Sequence, residues 1–395
     1  MKIYEIGTGY TPIPAQMGAA TEIVVEELTK AFLKQGVPVE IIDIAATNRA
    51  QTTLPIREVK VPKCFSGTDV QLGLMHKLKR VVYSIALTGE LRKILIQTSE
   101  KVVLHFHNQY NLFFFLKLIP KKLRKKCTIA YTVHSYIWPG EWEEIKEIIQ
   151  KRYFQEVYCV QNADHVLALN DKTVEHLVKH LDVKSERIQR IENGVNTDIY
   201  HVLDEKQNDA FKKSIGWSDK IILFQVGSVC DRKNQLGALE LLSDYLQNHP
   251  DVIYAYAGGV IDTEYQSKIE KYAKENDISK QICYLGELCP GEQLNNYYNA
   301  ASVTLFPSKI ESFGLVIIES LSTGTPVILA DKPQFNLKDG YAIYKTKAEL
   351  AELIDDFVER KKKMVQLRNE VSQKYSWTEV AKAHQNIWEN GTCET

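Results

Sequence analysis

The sequence predicts an α/β protein made of two doubly wound domains, each built around a parallel sheet. Length is one observation behind this, because 395 residues are too many for one ordinary hydrophobic core. Pattern is the other, because short apolar runs alternate with longer amphipathic ones, as strands and helices do in parallel α/β sheets. We therefore predict an N-terminal domain over residues 1–200 and a C-terminal domain over residues 201–376.

The predicted strands fall into two groups, one for each sheet. The first half contains apolar runs at residues 3–6, 39–44, 102–106, 128–133, 165–169 and 187–191. The second half contains further runs at residues 220–226, 252–257, 281–285, 303–306 and 326–329. A helical pattern over residues 21–35 follows the first run and stops at Gly36, a residue type common at helix ends. The polar stretch 196–217 is predicted to be the interdomain linker.

Composition excludes several classes of protein. The 49 Lys and Arg nearly balance the 50 Asp and Glu, so the chain has no general attraction for nucleic acid. Seven cysteines without CxxC spacing argue against a disulfide framework or a zinc site and for a reducing compartment. The start at Met1 reads as a strand rather than a signal peptide, and no apolar run reaches membrane-spanning length. We therefore expect a cytoplasmic protein.

The most informative stretch places Glu311 and Glu319 eight residues apart around the pair Phe313-Gly314. It lies between an apolar strand pattern and a helical one. The free N–H groups at a helix start attract anions, and carboxylates accept hydrogen bonds from hydroxyl groups. Eight helical residues rise by roughly 12 Å, about the reach of a diphosphate with a ring on each side. The alternative is an acid favoured at a helix start by the macrodipole, together with an unrelated surface Glu.

The same stretch, with Gly324-Thr-Pro-Val327 after it, resembles the E-x7-E signature of retaining glycosyltransferases with two Rossmann-like domains (GT-B fold, family GT4). The resemblance implies two Rossmann-like domains facing a cleft. It also implies transfer of a hexose or N-acetylhexosamine from a nucleoside diphosphate sugar, with a UDP-sugar preferred, to an acceptor hydroxyl. It implies that Glu311 holds the hydroxyls of the donor sugar and that Glu319 accepts a hydrogen bond from the ribose. The amides of Phe313, Gly314 and Leu315 would contact sugar or phosphate.

Two adjacent cations, Arg232 and Lys233, follow the strand that ends near Gly227. Such a pair neutralises a diphosphate well, although a solvated loop pair is an equal alternative on the residues alone. The family resemblance implies that both cations stabilise the departing nucleoside diphosphate. Asn234 stands where the family usually has Gly. No Asp-x-Asp motif is placed to hold a metal, so we expect no metal or other cofactor.

Three further positions resemble family elements. His134 follows the strand at residues 128–133 and resembles the family's Val-His-(Asp/Ser) element, which implies a hydrogen bond to the donor sugar and the forming charge. Gly18 resembles a glycine loop that approaches the donor, and backbone at Gly286 and Leu288 would read the base. Most isolated histidines are structural, which is the alternative for His134.

Two other segments leave a choice open. His105 and His107 close the strand at residues 102–106 and could line the acceptor side. A zinc pair is less plausible there, because no third ligand is evident in the sequence. The final helix, residues 377–391, could end the second domain or return to the first, and the family resemblance favours its return.

Residues 112–126 combine aromatic side chains with five cations in residues 121–126. This pattern suggests a lipid-linked or saccharide acceptor and peripheral contact with the anionic inner face of the cell membrane, whereas the alternative is a buried helix with a solvated basic end. The leading hypothesis is a retaining transferase acting on a polysaccharide precursor. Its rivals are a sugar-nucleotide epimerase of the same fold and a catalytically silent binding partner.

Overall fold

The computed structural model describes residues 1–15, 19–65, 74–331, 333, 339–360, 364 and 366–390. The chain divides into two compact units, one comprising Met1–Asn193 with Trp377–Thr395 and the other comprising Gly194–Ser376. Within the described ranges, each unit is a parallel sheet with helices between its strands. Gly18 lies outside the described residues.

The sheet of the first unit has, among the described residues, seven parallel strands in the order β3-β2-β1-β4-β5-β6-β7. They are β1 (Lys2–Ile6), β2 (Val39–Ile44), β3 (Ile56–Val59), β4 (Val102–Phe106), β5 (Cys127–Val133), β6 (His165–Ala168) and β7 (Ile188–Arg190). Every residue of β4 and β5 is buried, as expected for strands covered on both faces. The strand order reverses between β1 and β4, where doubly wound sheets place their ligands.

The helices of the first unit are α1 (Ala20–Lys34), α2 (Leu74–Gln97), α3 (Gln109–Leu118), α4 (Lys121–Arg124), α5 (Trp142–Arg152), α6 (Phe154–Asn162) and α7 (Asp171–Leu181). The last helix of the chain, α15 (Trp377–Asn390), also belongs to this unit. It packs on α1, where the rings of Phe32 and Trp388 lie 5.4 Å apart between centroids. The Gln35 side chain donates a hydrogen bond to the Thr378 carbonyl at 2.9 Å.

The sheet of the second unit has six parallel strands in its described part, in the order β10-β9-β8-β11-β12-β13. They are β8 (Ile221–Val226), β9 (Val252–Ala257), β10 (Ile282–Tyr284), β11 (Val303–Phe306), β12 (Val327–Leu329) and β13 (Tyr341–Ile343). The helices are α8 (Glu205–Ser214), α9 (Gln235–Asn248), α10 (Thr263–Glu275), α11 (Glu292–Ala300), α12 (Leu315–Ser322), α13 (Lys347–Arg360) and α14 (Leu367–Tyr375). Here the strand order reverses between β8 and β11.

Each strand-like run predicted from the sequence corresponds to a strand of the structure, within a few residues at its ends. Two strands were not predicted, β3 and β13. Both are edge strands of three or four residues with partly exposed side chains, so neither produces a long apolar run. The predicted linker at residues 196–217 was wrong in part, because α8 lies within it. Asp204 and Gln207 form a capping box at the start of that helix.

None of the described helices combines the length and the apolar composition needed to cross a lipid bilayer.

Candidate functional site

In the second unit, the loops that follow β8 and β11 meet at the point where the strand order reverses. These two strands are neighbours in the sheet. The Lys309 amide donates a hydrogen bond to the Arg232 carbonyl at 3.0 Å. The Asn234 side chain donates another to the Pro307 carbonyl at 3.2 Å. The two loops therefore form one surface at the carboxyl edge of the sheet, where ligands bind in this class of fold.

Arg232, Lys233 and Glu311 converge on this surface. Nη1 of Arg232 donates a hydrogen bond to Oε1 of Glu311 at 2.6 Å, and Nζ of Lys233 donates to the same oxygen. The side chains keep 29%, 12% and 18% of their full exposure, in the order Arg232, Lys233 and Glu311. The structure therefore places one carboxylate and two cations, all named from the sequence, within reach of a single ligand.

Glycine at position 227 makes room for Lys233. A Cβ at this position would lie 3.0 Å from both Cδ and Cε of Lys233, and the Gly227 φ of +153° is one that other residues rarely adopt. The lysine stem therefore passes directly over the end of β8. The Gln225 side chain holds the backbone of the same turn by donating to the Lys233 carbonyl at 2.8 Å.

The structure gives a physical reason for Asn234, which stands where the family usually has Gly. This residue adopts the left-handed conformation, with φ of 58°, between the turn that carries the cations and α9. Asn tolerates that conformation better than most residues with a side chain. Asn234 therefore allows the turn after Lys233 to form although the family usually has Gly at this position.

Helix α12 begins beside this surface, two residues later than the predicted start near Phe313. Gly314 occupies the position before the helix with φ of +91°, Leu315 is its first residue, and no side chain caps this start. Phe313 is buried, so its ring does not form part of the exposed surface. The first amides of a helix are donors without intrahelical partners and attract anions.

Glu319 lies one turn further along α12, in contact with aromatic hydroxyls. The hydroxyl of Tyr298 donates a hydrogen bond to Oε2 of Glu319 at 3.0 Å, and Tyr200 also donates to this carboxylate. Burial raises the pKa of Glu319 to about 7, although both hydrogen bonds act to lower it. This acid therefore titrates near neutral pH.

The loops after β8, β9 and β10 are also in contact. A Cβ at Gly258 would lie 2.2 Å from the Gly227 carbonyl oxygen, so only glycine allows these two turns to approach. The Gly258 amide donates a hydrogen bond to the Gly286 carbonyl at 2.8 Å, and Gly286 has φ of +73°. Leu288 follows as a half-buried residue. The backbone expected to read the base is thus linked through Gly258 to the turn that carries Arg232 and Lys233.

In the first unit, His134 directly follows β5. Its Nε2 lies 2.9 Å from Nδ1 of His107, which follows β4. Burial, with the positive potential of His107 and His105 adding to it, holds the pKa of His134 well below its usual range. His134 is therefore a neutral imidazole at neutral pH.

Glu5 is the group that the sequence analysis missed. Its carboxylate lies between the two histidines at 3.0 Å from Nδ1 of His105 and 2.8 Å from Nε2 of His107. The feature of the sequence that could have revealed it is an acid in the middle of a buried strand. Strand β1 pairs with β4, and Glu5 lies opposite His105. A lone charge in such a strand requires a partner.

Glu5 also removes the sequence argument against a zinc pair, because it supplies a third group. The ligand atoms of Glu5, His105 and His107 all lie within 4.8 Å of one another, and a His₂Glu set is a known zinc ligand set. The same atoms are also satisfied by hydrogen bonds to one another.

Acidic side chains contact the described part of the N-terminal loop at Thr8 and Ile13. Oδ2 of Asp43 accepts hydrogen bonds from the Ile13 amide at 2.9 Å and from Arg49 at 3.0 Å. The Thr8 hydroxyl donates to Glu22 of α1, whose pKa burial raises to about 7.

The segment with five cations is exposed at one end of the first unit. Lys121, Lys122, Lys125 and Lys126 are exposed around α4, and Leu118 at the end of α3 retains 52% of its exposure. Phe115 is fully buried. The segment thus combines a helix that has one buried face with a solvated basic end, where Leu118 is exposed beside the cations.

Two family models match the chain in succession. The description "Glycosyltransferase Family 4" matches residues 21–199, and "Glycosyl transferases group 1" matches residues 207–374. The chain belongs to the group 1 glycosyltransferases of family 4. This confirms the family predicted from the sequence.

Curated relatives of the chain are also named as glycosyltransferases. The D-inositol 3-phosphate glycosyltransferase of Corynebacterium urealyticum is 27% identical over 271 residues, which cover 65% of this chain and 62% of that protein. The O-antigen chain mannosyltransferase RfbU of Salmonella typhimurium is 24% identical over 282 residues, which cover 70% and 69%. The matched region spans less than two thirds of the first of these relatives.

The crystal structure of Anabaena Alr3699/HepE in complex with UDP and glucose superposes with a TM-score of 0.74. It is 14% identical and covers 99% of this chain and 100% of that one. At this identity the likeness establishes the fold, which is GT-B, as the sequence predicted.

Proposed function

We propose that this glycosyltransferase moves a hexose or N-acetylhexosamine from a nucleoside diphosphate sugar to an acceptor hydroxyl, with retention at the anomeric carbon. The observation that carries the proposal is the convergence of Arg232, Lys233 and Glu311 at the carboxyl ends of β8 and β11. A binding site for a sugar nucleotide needs cations that bind the diphosphate. It also needs a carboxylate that accepts hydrogen bonds from the sugar hydroxyls.

Arg232 and Lys233 carry the charge of the leaving group in this proposal. The β-phosphate gains negative charge as the glycosidic bond breaks, and fixed cations stabilise that charge without reorganisation. The half-buried position of Lys233 strengthens the interaction relative to one in open water. We propose that this transfer needs no metal, because the two cations supply the charge that a metal provides elsewhere.

Glu311 exchanges partners when the donor binds. Without a diphosphate, its carboxylate neutralises both cations. A diphosphate that binds the cations frees the carboxylate to accept hydrogen bonds from the donor sugar. The amides at Phe313, Gly314 and Leu315 contact sugar or phosphate, since the start of α12 has no side-chain cap.

The nucleoside lies toward Glu319 and the glycine turns. Glu319 accepts from a ribose hydroxyl, and the backbone at Gly286 and Leu288 reads the base. The complex of Alr3699/HepE with UDP supports UDP as the nucleotide, as the family resemblance does. By the family resemblance, His134 also contributes a hydrogen bond to the donor sugar.

The acceptor is a saccharide or lipid-linked precursor of a polysaccharide in this proposal. The name of RfbU, an O-antigen chain mannosyltransferase, supports a polysaccharide. The exposed cations of residues 121–126 support peripheral contact of a cytoplasmic enzyme with the anionic inner face of the cell membrane.

Retention needs no carboxylate nucleophile here. Glu311 is engaged by two cations and Glu319 by two tyrosines. These are the surroundings of ligand-holding groups rather than of the acid and nucleophile of a glycosidase. The leaving phosphate oxygen then takes the proton of the attacking hydroxyl on the same face of the sugar.

Release of UDP from a panel of UDP-sugars, with and without saccharide acceptors, tests the proposal against its rivals. Release that depends on acceptor is the expected result. Interconversion of UDP-sugars without acceptor would instead indicate an epimerase. Donor binding without turnover would indicate a silent binding partner.

A further inference from the structure

One cation and two aromatic rings meet at the carboxyl edge of the first sheet. Tyr10 lies in the loop after β1, Tyr110 lies in the first turn of α3 after β4, and Arg80 lies on α2. Strands β1 and β4 are neighbours, and the strand order reverses between them. The three side chains therefore stand where doubly wound sheets bind ligands, and the proposed function gives them no role.

The head group of Arg80 lies over the faces of both rings. Its guanidinium carbon is 4.2 Å from the centroid of the Tyr10 ring and 5.6 Å from that of the Tyr110 ring. Its Nε donates a hydrogen bond to Nε2 of His76, one helical turn earlier, at 2.8 Å. Because an aromatic face attracts a cation, these contacts together fix the position of the guanidinium.

The surrounding residues fix the two rings in turn. The Asn108 side chain donates a hydrogen bond to the Tyr10 hydroxyl at 2.7 Å, and its oxygen accepts one from the Tyr110 amide at 2.9 Å. The loop before Tyr10 packs closely on α2, because a Cβ at Gly9 would lie 2.2 Å from the Tyr83 ring. The fold therefore holds the rings in place before a ligand binds, which reduces the entropy lost on binding.

No carboxylate of the described residues neutralises Arg80. Arg49 and Arg57 of the same unit form ion pairs with acids, whereas within the described part of the chain Arg80 donates only from Nε, to His76. Its side chain is half-buried. The two terminal amino groups are therefore available to a ligand, and they belong to the planar fork that binds a phosphate or a carboxylate through two parallel hydrogen bonds.

We propose that Arg80, held by Tyr10 and Tyr110, binds an anionic group of the acceptor, which is a phosphate monoester or a carboxylate. The inference rests on the proposed function for the identity of this ligand as the acceptor saccharide, although the anion site does not depend on it. The proposed function assigns the donor diphosphate to Arg232 and Lys233 of the second unit, so the cation of the first unit is left for the other substrate. The enzyme then selects a charged acceptor over a neutral sugar.

Three related sugars test the requirement for charge. Glucose 6-phosphate carries a phosphate, glucuronate carries a carboxylate, and glucose carries neither. Ligand-observed NMR titrations measure their binding to the full chain, first without nucleotide and then with saturating UDP. We expect one of the charged sugars to bind about tenfold more tightly than glucose, the value of one charge-assisted hydrogen bond. The charged sugar that binds distinguishes a phosphate acceptor from a carboxylate acceptor.

Variants on α2 test whether Arg80 holds that charge. Arg80→Gln should weaken binding of the charged sugar about tenfold and leave binding of glucose unchanged. Arg80→Lys keeps the charge but loses the planar fork, so it should recover only part of the affinity. Arg92→Gln is the matched control, because Arg92 is exposed on the same helix and the change in charge is equal. It should bind the charged sugar as the wild type does.

A pair of variants at Tyr10 tests the aromatic contact and remains informative if Arg80→Gln fails to fold. Tyr10→Phe keeps the ring face over which Arg80 lies and loses only the hydroxyl bonded to Asn108. It should retain most of the affinity for the charged sugar. Tyr10→Leu removes the ring face and should lose affinity as Arg80→Gln does. Thermal unfolding of each variant verifies that it is folded.

Four results would overturn the inference. They are failure of both charged sugars to bind, equal affinity for charged and neutral sugars, equal loss in Arg92→Gln and Arg80→Gln, and loss of binding in Arg232→Ala but not in Arg80→Gln. The last would place the anion at the donor cations. Binding of a charged sugar through Arg80 without transfer from any UDP-sugar would uphold the anion site and count against the proposed function.

Discussion

Nη1 of Arg232 and Oε1 of Glu311 lie 2.6 Å apart. This hydrogen-bonded ion pair joins the loop after β8 to the loop after β11, and the ammonium of Lys233 is bonded to the same oxygen. A diphosphate that binds the cations must compete with the carboxylate. In the proposed function, holding the diphosphate and holding the sugar are therefore coupled through one contact.

Replacing Glu311 should separate these two steps. Glu311→Gln removes the competing charge, so we expect UDP alone to bind about fivefold more tightly, as for loss of one partly exposed ion pair. Sugar transfer should fall strongly, because the neutral amide accepts weaker hydrogen bonds from the sugar hydroxyls than the carboxylate does. Calorimetric titration with UDP measures the first effect. Weaker binding of UDP by the variant would contradict the exchange of partners.

Donor binding should depend on the ionisation of Glu319. The pKa of Glu319 is about 7, and only the ionised form accepts hydrogen bonds at all its oxygen lone pairs. Donor affinity should therefore rise as the pH increases through about 7 and level off above it. Affinity in Glu319→Gln should not show this rise.

Tyr298 provides a second variant for the same effect. Its hydrogen bond lowers the pKa of Glu319, so Tyr298→Phe should move the midpoint of the pH dependence to higher pH. Titration with UDP between pH 6 and 9 measures the pH dependence of affinity for both variants and the wild type. A midpoint that stays in place would exclude Glu319 as the group that titrates.

The fold was largely predictable from the sequence, since buried parallel strands such as β4 and β5 are continuous apolar runs. The edge strands β3 and β13 were not, because half of an edge strand faces solvent and its composition resembles that of a loop. Helix α8 lies in a polar stretch and has no buried residue, so no apolar periodicity marked it.

The second-unit residues were predictable because they follow strands in sequence. The pairing of Glu311 with Lys233 and of Glu319 with Tyr298 was not predictable. These partners come from other loops and helices, and their distances depend on how the strands are ordered in the sheet. The same is true of Glu5, which is about one hundred residues from the histidines it contacts.

Glu156 should make stability depend on pH. It is buried on α6, accepts hydrogen bonds from Tyr131 and Trp138, and burial raises its pKa to about 7 from 4.5. The folded protein therefore retains a proton that the unfolded chain releases. Its contribution to stability is complete below pH 4.5 and is lost as the pH rises through about 7.

Glu156→Gln stays neutral, so its free energy of unfolding relative to the wild type should increase by about 1.4 kcal/mol per pH unit within that window. Urea unfolding at pH 5, 6 and 7 measures this difference. The exposed Glu144 of α5 provides the control Glu144→Gln. A difference between Glu156→Gln and the wild type that does not change with pH would show that folding does not raise the pKa of Glu156.

The basic segment should bind anionic membranes if the acceptor is lipid-linked. Each exposed Lys near such a surface contributes about 1 kcal/mol. Reversing three of them should therefore abolish sedimentation with phosphatidylserine vesicles at low salt, in the variant Lys121→Glu, Lys122→Glu, Lys125→Glu. An equal charge change on exposed lysines of the second unit is the control, in the variant Lys271→Glu, Lys274→Glu, Lys280→Glu. Failure of the wild type to sediment at low salt, or equal loss in both variants, would contradict membrane contact.

The most direct test of the central claim is the turnover of Lys233→Ala with a UDP-sugar that the wild type uses. Lys309→Ala is the matched control, because Lys309 pairs with Asp231 in the neighbouring loop and is half exposed. If Lys233 stabilises the leaving diphosphate, its loss should lower the turnover number at least tenfold, since one charged hydrogen bond contributes about 1.5–3 kcal/mol. Lys309→Ala should retain wild-type turnover. A loss of less than tenfold in Lys233→Ala, or an equal loss in both variants, would contradict the assignment of the leaving-group site.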